Sequence, residues 1–157
     1  MTNFFKYDSL TGKISFGKWI DIISRHLSYY IVKNLKKYNL NRNEYKYLIQ
    51  IYIREGFCQE DMVERLKVDK YEVAKSVKSL IEKGYIYKTK DEEDRRKYRL
   101  FLTDKAKEIK SDFIHILEQS SEVLTRNFSE KEKQLLLDFL FRMTENIYEE
   151  TTKLKNQ

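Results

Sequence analysis

The residues most able to do chemistry in this sequence are cations, and they are densest in a run of eight charged residues, Lys90–Lys97. The run includes two adjacent arginines, Arg95 and Arg96. So many charges cannot enter an apolar core, because an unpaired charge loses its hydration there. We therefore expect the run to stand in water or to meet a charged partner.

The sequence does not group the residue types that enzymes use for catalysis into a recognisable active-site pattern. His26 and His115 lie in separate predicted helices, and each is interpreted as a helix-face residue. Cys58 is the single cysteine, which excludes an internal disulfide and leaves no cysteine cluster for zinc. It would oxidise readily only if a helix N-terminus stabilised its thiolate. We predict a protein that is not an enzyme and that has no catalytic residue, metal site or cofactor.

The positive charge is unevenly spread along the chain. Residues 1–103 contain 22 Lys and Arg against 14 Asp and Glu, whereas residues 104–157 contain 9 against 11. The first stretch therefore carries an excess of eight positive charges, 22 less 14. Such a bias suits a polyanion such as DNA, whose phosphates attract Lys and Arg. A merely soluble surface is the alternative at this point.

Composition predicts one mainly helical domain over residues 1–157. The sequence has no proline and four glycines, and these two residue types are the ones that most often form turns and interrupt helices. Its hydrophobic fraction of 41% can build a core, and its charged fraction of 36% gives that core a polar surface. There is no run of about 18 apolar residues and no apolar segment typical of a signal peptide. We therefore expect a cytoplasmic protein without a membrane partner.

A predicted β-hairpin presents the charged run at its tip. Its arms, Tyr85–Thr89 and Tyr98–Leu102, are rich in residues that favour strands, and both alternate with a period of two. The alternation puts Leu100 and Leu102 on one side of the second arm. A helix followed by a protruding hairpin with a basic tip is typical of a winged helix.

The helix before this hairpin is predicted over residues 69–83. Asp69 and Glu72 have the spacing of a helix cap and its partner, and Gly84 ends the pattern. At 100° per residue, the face opposite its apolar stripe carries Tyr71, Lys75, Lys78 and Glu82. That face suits the DNA major groove, where a helix fits and Lys or Tyr reaches bases or phosphates. A solvated helix face is the alternative.

Five further helices are predicted from apolar spacing. The first covers residues 18–38 and follows an irregular N-terminal arm, residues 1–17, which we expect to pack on the rest of the protein. The second begins at a capping box formed by Asn41 and Glu44 and stops at Gly56. The third lies within the short stretch that follows.

The last two helices are expected after the hairpin. One starts at Thr103 and runs without a break for more than five turns, and the other starts at a capping box of Ser129 and Glu132. The first helix and these two have more apolar surface than a compact winged helix can cover. The surplus favours a partner chain, and a second copy is the expected partner.

Three stretches of the sequence resemble transcriptional regulators of the MarR family. Asp94-x-Arg96 followed by Leu102-Thr103 resembles the family's wing signature. Residues 59–66 are similar to its third helix, and residues 80–86 to the end of its recognition helix. The resemblance implies a mainly α winged helix-turn-helix fold, with about six helices and a two-stranded β wing.

The resemblance also implies a homodimer that binds double-stranded DNA. Residues 41–103 are expected to form the winged-helix DNA-binding lobe, and residues 18–38 and 104–157 the dimerisation helices. The implied function is that of a sequence-specific transcriptional regulator, a repressor of a pseudo-palindromic operator. A winged-helix protein-interaction module without specific DNA binding is the alternative from another class.

Carried over residue by residue, the resemblance implies roles on the DNA-binding surface. Lys75 stands where the family has a base-reading Arg, Arg96 matches the wing-tip Arg, and Asp94 matches the carboxylate that steadies it. The expected DNA-binding residues are Gln59, Lys70, Tyr71, Lys75, Lys78, Asp94, Arg95 and Arg96.

Some positions depart from the family pattern. Tyr71 and Glu72 stand where the family has small hydroxyl residues, so the operator sequence does not follow from the resemblance. Cys58 stands where a Ser or Thr would cap the third helix, and Lys67 replaces a common Gly in the turn.

A small aromatic or phenolic effector is the last expectation that the resemblance implies. The crevice for it would lie between the dimerisation helices and the DNA-binding lobe, with aromatic walls, polar tips and a nearby cation. The residues expected to line it are Arg25, His26, Tyr30, Tyr45 and Tyr52. The alternative is that these residues simply pack the joint between the two parts.

Overall fold

The computed structural model describes residues 15–66 and 68–155. These residues form seven α-helices and a two-stranded antiparallel sheet, which confirms the predicted mainly helical winged helix. The helices are α1 (Phe16–Asn34), α2 (Arg42–Ile53), α3 (Gln59–Leu66), α4 (Lys70–Glu82), α5 (Asp104–Glu108), α6 (Lys110–Leu124) and α7 (Glu130–Lys155). The strands are β1 (Ile86–Lys90) and β2 (Tyr98–Leu102), and a 3-10 turn, Leu35–Tyr38, follows α1. The first 14 residues of the expected arm, residues 1–17, and Lys67 in the turn lie outside the described residues.

The described chain divides into two compact units, one ending at Ser120 and the other beginning at Ser121. The first unit contains α1 to α5, the sheet and most of α6. Its core is a single cluster of apolar side chains from these elements, including Leu35, Leu48, Ile51, Met62, Val73, Leu80, Leu100 and Phe113. No helix within the described ranges is long and apolar enough to cross a membrane.

The second unit consists of the end of α6, a turn and α7. Ser129 and Glu132 form the predicted cap: the Ser129 N–H donates to Glu132 Oε2 at 2.8 Å, and the Glu132 N–H donates to Ser129 Oγ at 3.4 Å. Along α7 many large apolar side chains are exposed, namely Leu135, Leu137, Phe139, Leu140, Phe141, Ile147, Tyr148 and Leu154.

Helix α1 begins two residues before its predicted start. Ser15 Oγ accepts a hydrogen bond from the Lys18 N–H at 3.2 Å, so the helix starts at Phe16. The prediction that residues 1–17 are irregular is therefore wrong for Phe16 and Gly17, because the Ser15 cap starts the helix before them. A left-handed residue, Asn39 with φ 54°, ends the 3-10 turn that follows α1.

The predicted caps of α2 and α4 are present, with one correction. Asn41 and Glu44 form the complete capping box of α2. Asp69 Oδ1 accepts from the N–H groups of Tyr71 at 2.7 Å and Glu72 at 3.2 Å. The carboxylate of Glu72 does not complete a box, because it accepts from the Tyr47 hydroxyl at 2.8 Å. This bond ties α4 to α2.

The sheet pairs the two predicted arms, with β1 beginning and ending one residue later than expected, and it has one additional pairing. Ile86 lies opposite Leu102, and the side chains of Leu100 and Leu102 are buried as expected. The segment between α2 and α3 also pairs with β2, since the Gly56 N–H donates to the Leu100 carbonyl and the Leu100 N–H donates to the Phe57 carbonyl, both at 2.9 Å. This pairing fixes the base of the wing against the helices.

One helix was predicted to run unbroken from Thr103. This prediction is wrong, because the helix is interrupted at Ile109. Thr103 caps α5 as expected, accepting from the Ala106 N–H at 3.3 Å. The Ala106 carbonyl, however, accepts from the Tyr52 hydroxyl at 2.5 Å. In a continuous helix that carbonyl would accept from the N–H four residues later. The Tyr52 side chain from α2 thus donates to a backbone carbonyl of the helix at the position of the break.

Candidate nucleic-acid interface

The outward face of α4 is open to solvent. Val73, Val77 and Leu80 are buried in the core, and the opposite side presents Tyr71, with 76% of its surface exposed, together with exposed Lys75. Lys78 is also exposed, and its Nζ lies 3.8 Å from Glu82 Oε1 one turn later. This is the division of faces that the sequence predicts for a helix lying on a partner.

Buried polar contacts fix the orientation of α4 against α2. Lys83 Nζ, just after the helix, donates to both carboxylate oxygens of Glu44 at 2.8 Å. Ser79 Oγ donates to Glu44 Oε1 at 2.6 Å. Burial raises the pKa of Glu44, but the hydrogen bonds from Lys83, Ser79 and the Asn41 N–H outweigh it and leave the pKa below its ordinary value of 4.5. The carboxylate is therefore charged and fully paired.

Two further residues of the expected DNA-binding set lie at helix starts. Gln59 is the first residue of α3 and is half-buried, and Lys70 is the first residue of α4 and is exposed. Both belong to the same compact unit as the outward face of α4.

The wing tip combines one buried anion with exposed cations. Asp91 belongs to the charged run that was expected to stand in water or to meet a charged partner, and it is buried. Its carboxylate accepts from the N–H groups of Glu93 at 2.8 Å and Asp94 at 2.9 Å and forms an ion pair with Arg99. These backbone N–H groups, with Arg99, hold the pKa of Asp91 below its ordinary value. The Asp91 carboxylate therefore needs no water molecule as a hydrogen-bond donor, because all its partners come from the wing.

The two arginines at the tip remain in solvent. The Arg96 side chain is exposed, and its Nε and backbone N–H each donate to Asp94 Oδ1 at 3.1 Å. These contacts hold the pKa of Asp94 below its ordinary value. Arg95 is exposed as well. The guanidinium of Arg96 is thus oriented at the tip by its neighbour.

The contacts that support the wing from below were not predicted from the sequence. Arg99 joins Asp91 to the segment after α2, because its Nη1 donates to the Gly56 carbonyl at 3.1 Å. An Asp at the start of a turn commonly accepts from the N–H groups two and three residues later, so the turn role of Asp91 had a local signal. The bridge from Arg99 to Gly56 spans 43 residues and had none.

The chain is related to proteins of one family. Residues 38–97 match the sequence model of the MarR family. The HTH-type transcriptional regulator YybA of Bacillus subtilis is 34% identical over 128 residues, which are 82% of this chain and 85% of that protein. This chain belongs to the MarR family. The prediction of a transcriptional regulator and not an enzyme is thereby confirmed.

Solved structures of MarR-family proteins agree with this assignment. The MarR transcriptional regulator from Methanosarcina mazei Go1 is 32% identical, with a TM-score of 0.80 over 85% of this chain and 96% of that one. A MarR-family transcriptional regulator from Listeria monocytogenes, solved with a 26mer DNA, is 28% identical, with a TM-score of 0.84 over 91% of this chain and 95% of that one.

Cys58 of this MarR-family chain is unsuited to redox sensing. It is buried, and burial raises the pKa of its thiol. Its N–H donates to Asp61 Oδ2 at 3.1 Å, and the nearby carboxylate also disfavours a thiolate. Proximity to the start of α3 therefore does not activate it, contrary to the alternative considered from the sequence.

Two of the expected effector-binding residues are engaged in packing. Tyr45 is buried in the core. The Tyr52 ring lies 5.2 Å from the Phe113 ring between centroids, and its hydroxyl is bonded to the Ala106 carbonyl. Burial raises the pKa of Tyr52 above its ordinary value. Both side chains join α2 to its neighbours, which agrees with the packing alternative.

The other three expected effector-binding residues lie on α1. Arg25 and His26 are exposed, and Tyr30 is half-buried against the core. The Arg25 Nε donates to Asp21 Oδ2 at 3.0 Å. Within the described ranges, no group of three His, Cys, Asp or Glu side chains is placed to hold a metal ion.

Proposed function

We propose that this MarR-family regulator is a homodimeric repressor that binds a pseudo-palindromic operator in double-stranded DNA. The observation that carries the proposal is the outward face of α4, with Tyr71, Lys75 and Lys78 exposed in the same compact unit as the two exposed arginines of the wing tip. A helix fits the major groove, and an Arg side chain is attracted by the negative potential of a narrow minor groove. The Listeria relative solved with DNA supports this use of the fold.

Each expected DNA-binding residue has a role in this proposal. Lys75, in the middle of α4, contacts base edges, and Arg96 enters the minor groove with Asp94 holding its guanidinium. The remaining residues hold phosphates or pack on the sugar backbone, namely Gln59, Lys70, Tyr71, Lys78 and Arg95. The phosphate contacts set the register of the protein on the duplex, and the base contacts set sequence preference.

Dimerisation is supported by the apolar surface that each compact unit leaves in solvent. On α1 the exposed apolar side chains include Phe16, Trp19, Ile20 and Ile23, and α7 exposes a longer series. Contiguous apolar surface of this kind marks an interaction site, and a two-fold pair with a second copy buries it. The two α4 helices of such a dimer would enter adjacent major grooves roughly 34 Å apart.

Release by a small aromatic or phenolic ligand completes the proposal. Arg25, His26 and Tyr30 offer an exposed cation and two aromatic rings on α1. A ligand lowers DNA affinity only if it prefers a conformation of the dimer that misfits adjacent grooves. The test measures operator affinity and melting temperature across a panel of aromatic acids at fixed salt. No change in either quantity would remove this part of the proposal and leave the repressor.

In vitro selection from random double-stranded DNA tests the repressor itself. The expected result is an inverted repeat whose half-sites are centred about 10 base pairs apart, because the protein symmetry is copied in the DNA. Selection of a single asymmetric site would contradict the proposal that the protein binds DNA as a two-fold dimer. Failure to enrich any sequence at low salt would overturn specific DNA binding and favour the interaction module.

A further inference from the structure

A polar depression of about 310 Å³ lies beside α4, between that helix and the start of α2. Its walls come from residues 41–44 at the start of α2 and from one side of α4, namely Glu72, Lys75, Ser76 and Ser79. Lys75 lies on its rim and is also part of the outward face of α4. The depression is therefore continuous with the surface that is proposed to enter the major groove.

The two carboxylates in the walls accept hydrogen bonds from within the protein, and Glu44 is also paired with the Lys83 ammonium. Glu44 accepts from Lys83 and Ser79, and its second oxygen also accepts from the Asn41 N–H at 2.8 Å. Glu72 accepts from the Tyr47 hydroxyl at 2.8 Å. Glu72 keeps its negative charge, because a hydroxyl donor does not neutralise a carboxylate, but within the described ranges it lies beyond 4.0 Å of the Arg42 and Lys75 cations.

The cations of the rim are not neutralised in the same way. Among the described residues, neither Arg42 nor Lys75 has a carboxylate within 4.0 Å. Arg42 Nη2 donates to Ser24 Oγ at 3.2 Å, which holds one end of the guanidinium and leaves other N–H groups available. Lys46 follows Arg42 by one turn and lies outside the lining of the depression; desolvation and repulsion by Arg42 lower its pKa.

We propose that this depression binds a phosphate of the DNA backbone that flanks the major groove, with Arg42 as its principal contact. The site rests on the proposed DNA binding and extends it to a residue outside the helix-turn-helix and the wing. A guanidinium presents its N–H groups in a fork that matches phosphate oxygens, and Arg42 belongs to the element that Glu44 and Lys83 fix against α4. The contact would set how deeply α4 enters the groove.

The experiment measures binding of the full-length chain to its selected operator and to a shuffled duplex over a range of salt concentrations. Arg42→Ala is expected to weaken both by the same factor, about tenfold, because a phosphate contact carries no sequence information. The slope of log affinity against log salt should become shallower by about 0.9. Arg42→Lys should keep the wild-type slope, because it keeps the charge.

Two controls separate phosphate binding from other effects. Ser24→Ala removes the hydrogen bond to Arg42 and keeps the charge, so its salt slope should equal that of wild type. Arg126→Ala, an exposed arginine in the turn before α7, removes an equal charge elsewhere and should leave the slope unchanged. A shallower slope in Ser24→Ala, or an unchanged slope in Arg42→Ala, would overturn the proposal.

A free anion is the other source of the same chemistry. If inorganic phosphate at constant ionic strength raises the melting temperature of wild type but not of Arg42→Ala, while both bind DNA equally, the depression is a site for a free anion and the DNA assignment is overturned. If wild type binds no DNA at low salt, the proposed repressor itself fails. If wild type binds and Arg42→Ala loses affinity only for the operator, Arg42 reads sequence and this inference alone fails.

Discussion

Lys83 Nζ donates to both carboxylate oxygens of Glu44 at 2.8 Å, and this pair joins the end of α4 to the start of α2. The side chain of Glu44 is only 1% exposed, and that of Lys83 is 24% exposed. Removing one partner of a buried pair leaves an unpaired polar group in the core. The pair therefore fixes α4 to the rest of the first unit.

Replacing Glu44 by Gln should lower the free energy of unfolding by about 2 kcal/mol. Fully buried pairs lose about 3–5 kcal/mol when broken, and the partial hydration of Lys83 reduces that loss. Urea unfolding followed by circular dichroism measures the change. Glu82→Gln, which alters an exposed partner of Lys78, is the matched control and should change stability by less than about 0.5 kcal/mol. Equal effects of the two substitutions would contradict the role of the pair.

The contribution of Glu44 should also depend on pH. Its pKa in the folded protein lies below the ordinary value of 4.5, so the folded state favours the ionised carboxylate. The stabilisation is fully present above the unfolded pKa and is lost as the pH falls through the folded pKa. The difference in stability between wild type and Glu44→Gln should therefore be constant near neutral pH and shrink below about pH 4.5. A difference that grows on acidification would contradict this reading.

The helix caps and the outward face of α4 could be predicted from the sequence, because the interactions that determine them lie within a few residues along the chain. Asn41 and Asp69 bond to N–H groups two and three residues away, and the outward position of Lys75 follows from the 100° period of a helix. The Glu44 to Lys83 pair spans 39 residues, and no local pattern indicates it.

Distant partners also explain the errors in the predicted elements. The helix breaks between α5 and α6 where the Ala106 carbonyl accepts a hydrogen bond from the Tyr52 hydroxyl, which is 54 residues away in the sequence. The burial of Asp91 depends on Arg99 from the opposite strand. The proposed base contacts of Lys75 depend on an operator whose sequence the protein chain does not contain.

Lys75→Ala should relax the sequence preference of DNA binding. The loss on the selected operator is expected to be about 1–3 kcal/mol and larger than the loss on shuffled DNA, because base contacts are made only with the right sequence. Lys78→Ala, on the same face, is the comparison and should weaken both duplexes alike. Competition binding with labelled operator measures the two losses. Equal losses for Lys75→Ala on both duplexes would remove it from base reading.

Arg96→Ala should reduce affinity most when the DNA beneath the wing is rich in A·T pairs. Such DNA has a narrow minor groove with enhanced negative potential, which an inserted Arg uses. The measurement compares operators whose flanks are A·T-rich or G·C-rich. Asp94→Ala should lose part of the same discrimination, because it frees the Arg96 guanidinium from the contact at 3.1 Å. The same loss on both flanks would place Arg96 on phosphates instead.

Charge placed in the exposed apolar stripe of α1 should separate the dimer. Ile23 is 47% exposed, so Ile23→Asp leaves the core of the first unit intact but opposes burial against a second copy. Sedimentation velocity at micromolar concentration should show a dimer for wild type and a monomer for the variant. Ile53→Asp, at a position of α2 that is 61% exposed, is the matched control and should stay dimeric. A monomeric wild type would refute the two-fold operator.

The central claim is specific DNA binding, and fluorescence anisotropy of the wild-type chain tests it most directly. The measurement compares the selected operator with a shuffled duplex of the same composition at two salt concentrations. The account predicts that the operator binds at least about 10³-fold more tightly and that both affinities fall as salt rises. Equal affinity for the two duplexes, or no binding to either at the lower salt, would contradict it.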